Sequence, residues 1–285
     1  MSGTLMLRRA EMPDADTAWN DELLRDPHHV ADKRSRVQRM FAAIAPKYDL
    51  NNRLHSFGMD QRWRRKAVKL AQPTPTDLVL DIACGTGDLS IKFRDALLRV
   101  YGPARPQPLV IGIDFTFEML PRAIRKSYVP PPPGISDPIG VMPPHLSDGV
   151  DYLNADATAI PLADASADVV SIAFGIRNVQ EPHKAIAEFY RVLRPGGRVI
   201  ILEFSQPRNR LIRFFNDLYT ARIMPHTATW ISGDKSGAYK YLPKSVESFM
   251  SREAMMAMMR DAGFVDVTQH PMTFGVAVVY RGYKR

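Results

Sequence analysis

The stretch Leu78-Val79-Leu80-Asp81-Ile82-Ala83-Cys84-Gly85-Thr86-Gly87-Asp88-Leu89 limits the choice of fold more than any other part of this chain. A short apolar run, a glycine-punctuated turn and then Leu89-Ser90-Ile91-Lys92-Phe93 at helical spacing read as strand, turn and helix. Gly85 and Gly87 let the backbone approach a ligand with no Cβ in the way, and the following helix aims unpaired N–H groups at it. The spacing is not the dinucleotide G-x-G-x-x-G, because Ser90 stands where the third glycine belongs. Taken alone, the stretch also fits a tight strand-to-helix turn that binds nothing.

The runs that follow repeat the pattern. Leu109 to Asp114, Val150 to Ala157, Ala167 to Gly175 and Arg198 to Glu203 read as buried strands, separated by helical segments at Glu118–Tyr128 and Pro182–Leu193. Apolar strands alternating with helices make a doubly wound, mostly parallel sheet, whose ligand crevice lies at the strand C-terminal ends. Gly85, Asp114, Asp156 and Ala173 converge there. An acid closing the second strand suits the paired hydroxyls of a ribose, although the 27 residues from Gly87 to Asp114 exceed the usual spacing and enclose Gly102, Pro103, Pro106 and Pro108. Farther on, Ser251–Ala262 reads as a methionine-rich helix packed in the core, followed by two strands at Val265–Val267 and Phe274–Tyr280.

Composition narrows the class. With 285 residues, 45% of them hydrophobic, the chain can build one large α/β domain with appendages. Its one cysteine, Cys84, excludes a disulfide framework within the chain and reads as a small turn-filling residue rather than a nucleophile. No apolar run is long enough to span a membrane, and residues 1–30 lack the apolar core of a signal peptide, so a cytoplasmic location is expected. No metal site is expected.

Charge is concentrated. The net charge is +8, and Lys33 to Lys69 holds eleven Lys/Arg against Asp49 and Asp60, a local +9 that leaves the remainder near −1. Within it Val37, Met40, Phe41 and Ile44 recur at helical spacing with Lys33, Arg36 and Arg39 off the stripe, an amphipathic basic helix. Such a helix packs on the domain or meets an anionic surface, nucleic acid or lipid headgroups. A polar loop at Lys47–Asn52 and a second basic helix from Asp60 to Leu70, carrying Trp63, Ala67 and Leu70 on one side, follow. The expected organisation is a poorly ordered leader at 1–30, a basic helical cap at 31–75 and a catalytic domain at 76–285. That domain carries a proline-rich surface insertion at 130–146, with seven prolines, and an amphipathic lid helix at 208–224.

Several motifs together resemble one family. Asp81 before Gly85-Thr86-Gly87 resembles the first motif of S-adenosylmethionine-dependent methyltransferases. Ala45-Pro-Lys-Tyr-Asp-Leu50, Ser56-Phe-Gly58, Ala173-Phe-Gly-Ile-Arg-Asn-Val179, Tyr190-Arg-Val-Leu-Arg-Pro-Gly-Gly-Arg198, Leu202-Glu-Phe-Ser205, Tyr239-Lys-Tyr-Leu-Pro243 and Tyr280-Arg-Gly-Tyr-Lys284 look like the ubiquinone/menaquinone biosynthesis C-methyltransferase family. The likeness runs over about residues 35 to 285. The long insertion and the first 30 residues depart from it.

What the resemblance implies is a doubly wound seven-stranded class I methyltransferase fold, Rossmann-like, with an N-terminal helical cap. It also implies transfer of a methyl group from S-adenosylmethionine to a ring carbon of a polyprenylated quinol. Gly85, Thr86 and Gly87 would meet the amino-acid end of the cofactor, Asp114 its ribose, Asp156 and Ala157 its adenine region, Met119 the adenine face, and Ala173 the wall near the sulfonium. Arg177 would be a fixed cation near the ring oxyanion, with Asn178 orienting it, while Tyr48 and Asp49 would close over the ring hydroxyl from the cap. Demethylmenaquinol is the expected acceptor and 2-methoxy-6-polyprenyl-1,4-benzoquinol the alternative. A lipid-borne substrate makes peripheral contact with the inner face of an anionic membrane the expected role of the basic helices, rather than nucleic acid. A homodimer is left open. An RNA methyltransferase would need stacking aromatics and an Asn/Asp-Pro-Pro-Tyr motif after the fourth strand, where Phe174-Gly175-Ile176-Arg177 stands instead. A non-catalytic binding module fits poorly with the complete cofactor-site pattern.

Overall fold

The apolar runs pair into one sheet. In this computed structural model, which describes residues 18–101, 110–128, 149–234 and 236–285, its strands are β1 (Val79–Ile82), β2 (Val110–Asp114), β3 (Val150–Asn154), β4 (Ala167–Ala173), β5 (Leu193–Phe204), β6 (Val265–Met272) and β7 (Ala277–Tyr283). Their order is β3-β2-β1-β4-β5-β7-β6, parallel from β3 to β5 and antiparallel at β7 and β6. All four residues of β1 are buried, as a central parallel strand covered on both faces requires. The strand order reverses between β1 and β4, so the crevice of a doubly wound sheet opens at their C-terminal ends.

Helices α4 (Asp88–Tyr101), α5 (Leu120–Ser127), α6 (Pro182–Val192) and α10 (Arg252–Asp261) flank the sheet. Each buries an apolar stripe; on α6 it is Ala185, Ile186, Phe189 and Val192. Ser251 caps α10 by accepting from Ala254 N, and Met255 and Met259 are buried, so these methionines pack in the core. Arg194-Pro195-Gly196-Gly197, whose residues favour a turn, lies inside β5, where Gly196 takes φ +80° and donates to Lys284 O. The second closing strand starts at Ala277 rather than Phe274, because Thr273 and Phe274 turn through positive φ. The insertion at 130–146 lies outside the described residues.

A helical cap covers the crevice. It is built from α1 (Lys33–Ile44), α2 (Tyr48–His55), α7 (Arg210–Leu218), α8 (Met224–Ser232) and α9 (Ala238–Glu247), while α3 (Met59–Ala71), expected in the cap, packs Trp63, Ala67, Val68 and Ala71 on the face of the sheet. Val37, Met40 and Ile44 of α1 pack with Trp19, Tyr239 and Tyr241, and Trp19 stacks on Tyr241 at 4.3 Å. This corrects two expectations. The apolar stripe of α1 is covered by the chain itself and is closed to a membrane, and residues 18–30 contribute to the cap core, with Leu24 buried. The segment read as a polar loop at 47–52 is the start of α2, and the lid expected at 208–224 is α7, a wide turn at Tyr219–Ile223 and then α8.

Candidate active site

The loop after β1 turns sharply. Ala83 sits at φ +50°, Gly85 at +56° and Gly87 at +81°. Across the crevice Phe174, the residue after β4, also takes positive φ, and a Cβ on Gly175 would stand 2.6 Å from the Ala83 Cβ. The Ala83 methyl thus packs against the bare backbone of Gly175 at the switch point, with left-handed non-glycine residues held on both sides. Beneath them Asp81 bridges β1 to its neighbours by accepting from the Ser90 and Ser171 hydroxyls at 2.6 and 2.9 Å, and burial pushes its carboxyl up to about 6. The Cys84 thiol is buried, and burial with the charges of Asp114 and Asp81 pushes it well above its ordinary value, which removes it as a nucleophile.

Asp114 closes β2 as expected. Its Oδ2 accepts from Gly85 N at 2.7 Å and its Oδ1 from Thr116 N at 2.8 Å, so its carboxylate is fixed against the glycine loop. Burial pushes it up to about 6. A Cβ built on Gly85 meets nothing within 4 Å, so the loop faces open space beside this acid. Those two features fit a nucleoside with an amino-acid tail, the ribose on Asp114 and the tail over the glycines. Met119 and Ala157 are buried nearby and Ala173 is half-buried at the end of β4. Asp156 accepts from Thr158 N and Oγ1 through Oδ1, while its Oδ2 pairs with Arg34 of α1 at 2.8 Å.

The cap reaches this loop through Asp49, not through Tyr48. Thr86 Oγ1 donates to Asp49 Oδ1 at 2.6 Å, and Lys126 Nζ joins Asp49, Asp88 and Thr86 at 2.5, 2.8 and 2.9 Å. Asp88 lies below the usual carboxylate range: burial pushes it up, but the charges of Arg64, Lys126 and Arg53 outweigh that effect. Tyr48 instead lines a cavity of about 1100 Å³ between the cap and the β4 end. Burial raises its phenol, which keeps it a neutral hydrogen-bonding group. The structure therefore separates Tyr48 and Asp49, which the sequence reading had grouped.

Arg177 lines the same cavity and is buried. Its Nη1 donates to Glu203 Oε1 and to Phe174 O, both at 2.7 Å, and its Nε to Ser245 Oγ at 3.3 Å. Asn178 is turned inward: its Nδ2 donates to Phe174 O at 3.2 Å and its Oδ1 accepts from Tyr241 Oη at 3.0 Å, so it braces the turn.

Lys33 was missed. It is 1% exposed, and its ammonium donates to Arg177 O at 2.9 Å and Val179 O at 2.8 Å, pinning α1 to the turn that carries Arg177. Burial and the Arg177 charge lower it to about 8, and burial with the Lys33 charge lowers neighbouring His28 to about 4. The signal was available: Lys33 stands four residues before Val37 and so on the buried stripe rather than off it. Lys126 and Glu203, the partners of Thr86 and Arg177, carried no such signal.

A glycine loop at the sheet's switch point, an acid fixed against it and a capped cavity at the next strand end define a class I methyltransferase fold. A SAM-dependent methyltransferase of Thermotoga maritima has the same fold, with a TM-score of 0.55 at 20% identity over 87% of this chain and 100% of that one. The chain belongs to the ubiE/COQ5 methyltransferase family, whose pattern it matches over residues 29–284. It is 43% identical over 243 residues to the demethylmenaquinone methyltransferase of Thermus thermophilus, covering 85% of this chain and 99% of the relative. It is 39% identical over 257 residues to the ubiquinone/menaquinone biosynthesis C-methyltransferase UbiE of Geobacter sulfurreducens, covering 90% and 91%.

Proposed function

We propose that this enzyme moves the methyl group of S-adenosylmethionine to a ring carbon of a polyprenylated quinol, with demethylmenaquinol as the acceptor. The observation that carries this reading is the aromatic-lined cavity at the β4 end, which holds a buried cation, Arg177, beside the Phe174–Gly175 turn that packs against Ala83 of the glycine loop. The names of the Thermus and Geobacter relatives support it. When bound, S-adenosylmethionine supplies a sulfonium-activated methyl group. The glycine loop and Asp114 hold its polar ends, and the Lys126–Asp49–Thr86 cluster fixes that loop beneath the cap. The acceptor ring becomes nucleophilic when a hydroxyl beside the reacting carbon loses its proton; a phenol near pKa 10 needs a stabilising group for that at neutral pH. Arg177 serves as that group because a guanidinium keeps its own proton. One proton leaves the ring overall as one methyl enters it.

The paired assay offers reduced demethylmenaquinone and a reduced 2-methoxy-benzoquinone, both short-tailed, with labelled S-adenosylmethionine. Label in the naphthoquinol is the expected result, and label in the benzoquinol alone reassigns the acceptor. Cofactor binding with label in neither overturns the quinol reading and returns RNA as an acceptor to test.

The lipid tail leads to a surface. Among the described residues no helix is long and apolar enough to cross a membrane. On α7, Leu211, Phe214 and Phe215 are each more than half exposed, beside Arg210 and Arg213, and no residue of this helix is buried. We read this helix as the part that meets an anionic bilayer and admits the prenyl chain to the cavity, which Arg213 and Asn216 also line. Flotation with phosphatidylglycerol vesicles at low salt is expected to carry the protein, and Phe214→Glu with Phe215→Glu to leave most of it behind. Equal flotation of both forms would remove α7 from this role.

A further inference from the structure

The cavity floor holds a second guanidinium, on α3, in the segment whose charge alone suggested an anionic surface. Arg64 is 6% exposed and lines the cavity. Its place is set by spacing: Ala67, Val68 and Ala71, at i+3, i+4 and i+7, are all buried, so Arg64 belongs to the inward stripe of α3. Only its Nη1 is engaged, with Asp60 Oδ2 at 3.0 Å and, more loosely, with Asp60 O at 3.4 Å. The Nε is buried with no hydrogen-bond partner, and Nη2 has no partner among the described residues. Asp60 is itself fixed by Ser56 Oγ at 3.0 Å and Gln61 Nε2 at 2.8 Å, so it anchors the guanidinium.

A guanidinium N–H left unpaired on the lining of a binding cavity points to a partner that arrives with the ligand, and here that N–H belongs to Nη2. The surroundings describe that partner. Arg64 lies 5.2 Å from the centre of the Phe174 ring, Phe174 and Phe204 have centroids 4.5 Å apart, and Arg177 lies 5.3 Å from the Phe204 ring. Two guanidiniums with free N–H groups thus bracket one aromatic pair, since the Arg177 Nη2 is likewise unpartnered among the described residues. Such a floor takes a flat ring bearing one oxygen toward each cation. We infer that Arg64 is a substrate-binding residue that donates from Nη2 to one ring oxygen while Arg177 addresses the other, so the cavity selects a 1,4-dihydroxy ring over a monophenol. This rests on the quinol reading above and extends it to a rule of acceptor choice.

The test pairs protein and substrate changes. Parent enzyme, Arg64→Met and Arg64→Lys are each given a short-tailed naphthalene-1,4-diol and the two naphthols lacking one of its oxygens. The parent is expected to prefer the diol in kcat/KM by about 10- to 100-fold over the naphthol that keeps the hydroxyl beside the reacting carbon, the scale of one charged hydrogen bond, and to leave the other naphthol unmethylated because its reacting carbon has no adjacent phenolate. Arg64→Met loses that preference over the reactive naphthol and still leaves the other unmethylated, with affinity for S-adenosylhomocysteine within about threefold of the parent. Arg64→Lys keeps the charge and the Asp60 partner but not the planar fork, and retains an intermediate preference even if the methionine variant folds poorly. An unchanged preference in both variants overturns the inference alone. No turnover of the diol by the parent removes the quinol reading and the inference together.

Discussion

Replacing Arg177 with methionine is expected to lower kcat by about 10²–10³-fold, the usual loss when one oxyanion-stabilising donor is removed, and to destabilise the fold as well. The second effect follows from Glu203. Its carboxylate is 1% exposed and 2.7 Å from the guanidinium, so removal of Arg177 leaves a buried anion with only the N–H groups of Phe204 and residue 177 to accept from. Breaking such a pair costs about 3–5 kcal/mol, whereas replacing both members by apolar groups of similar size is often near neutral. The double variant Arg177→Met with Glu203→Leu therefore recovers most of the stability in urea melts but none of the activity. A single variant that is unstable yet turns over normally would place Arg177 in the scaffold alone. The two readouts separate because the ion pair supports the fold while, on the proposed reading, the Nη2 left unpaired serves the ring oxygen.

The sheet was far more legible than the cap, for physical reasons. Parallel strands covered on both faces must be apolar throughout, so Leu78–Ile82 and Ala167–Ala173 stand out in the chain with no knowledge of their partners. The glycine loop is legible because its backbone angles exclude most other residues. The cap depends on tertiary contacts instead. Helix α2 carries Asp49, Asn51 and Asn52, poor helix formers that read as a loop, yet Asn51 is buried and donates to Tyr239 Oη at 2.6 Å across 188 residues. Helix α9 follows Gly237 at φ +82° and contains Pro243, both of which read as breaks. Helix geometry also explains why Tyr48 and Asp49 part company. Neighbours on a helix point about 100° apart, so one turns to the cavity and the other to the glycine loop. The same geometry, read more strictly, would have put Lys33 and Arg64 inside.

On the proposed reading Asp114 holds the ribose, and its replacement is expected to lower cofactor affinity with a pH signature. Its carboxylate must be ionised to accept from ribose hydroxyls while also holding Gly85 N and Thr116 N. Asp114→Asn turns one acceptor into a donor that faces one of those backbone N–H groups, so it disturbs the loop as well as the ligand. A loss of about 10²-fold in affinity for S-adenosylhomocysteine is expected, the scale of one or two charged hydrogen bonds. Burial holds the carboxyl at about 6, above its ordinary value, so in the free protein it takes up a proton before an exposed aspartate does as the pH falls. The ligand requires the ionised form, so parent affinity is level above about pH 7 and falls by up to about tenfold per pH unit below 6. The thermal shift given by S-adenosylhomocysteine should be correspondingly larger at pH 7.5 than at pH 5. Asp81 also titrates near 6, but it is 1% exposed and both its oxygens accept from serine hydroxyls, which leaves it no face toward the ligand. The asparagine variant therefore separates the two acids: its weaker binding stays nearly flat from pH 7.5 to 5. If it keeps the parent's fall instead, the titrating group is not Asp114 and the ribose belongs elsewhere in the crevice.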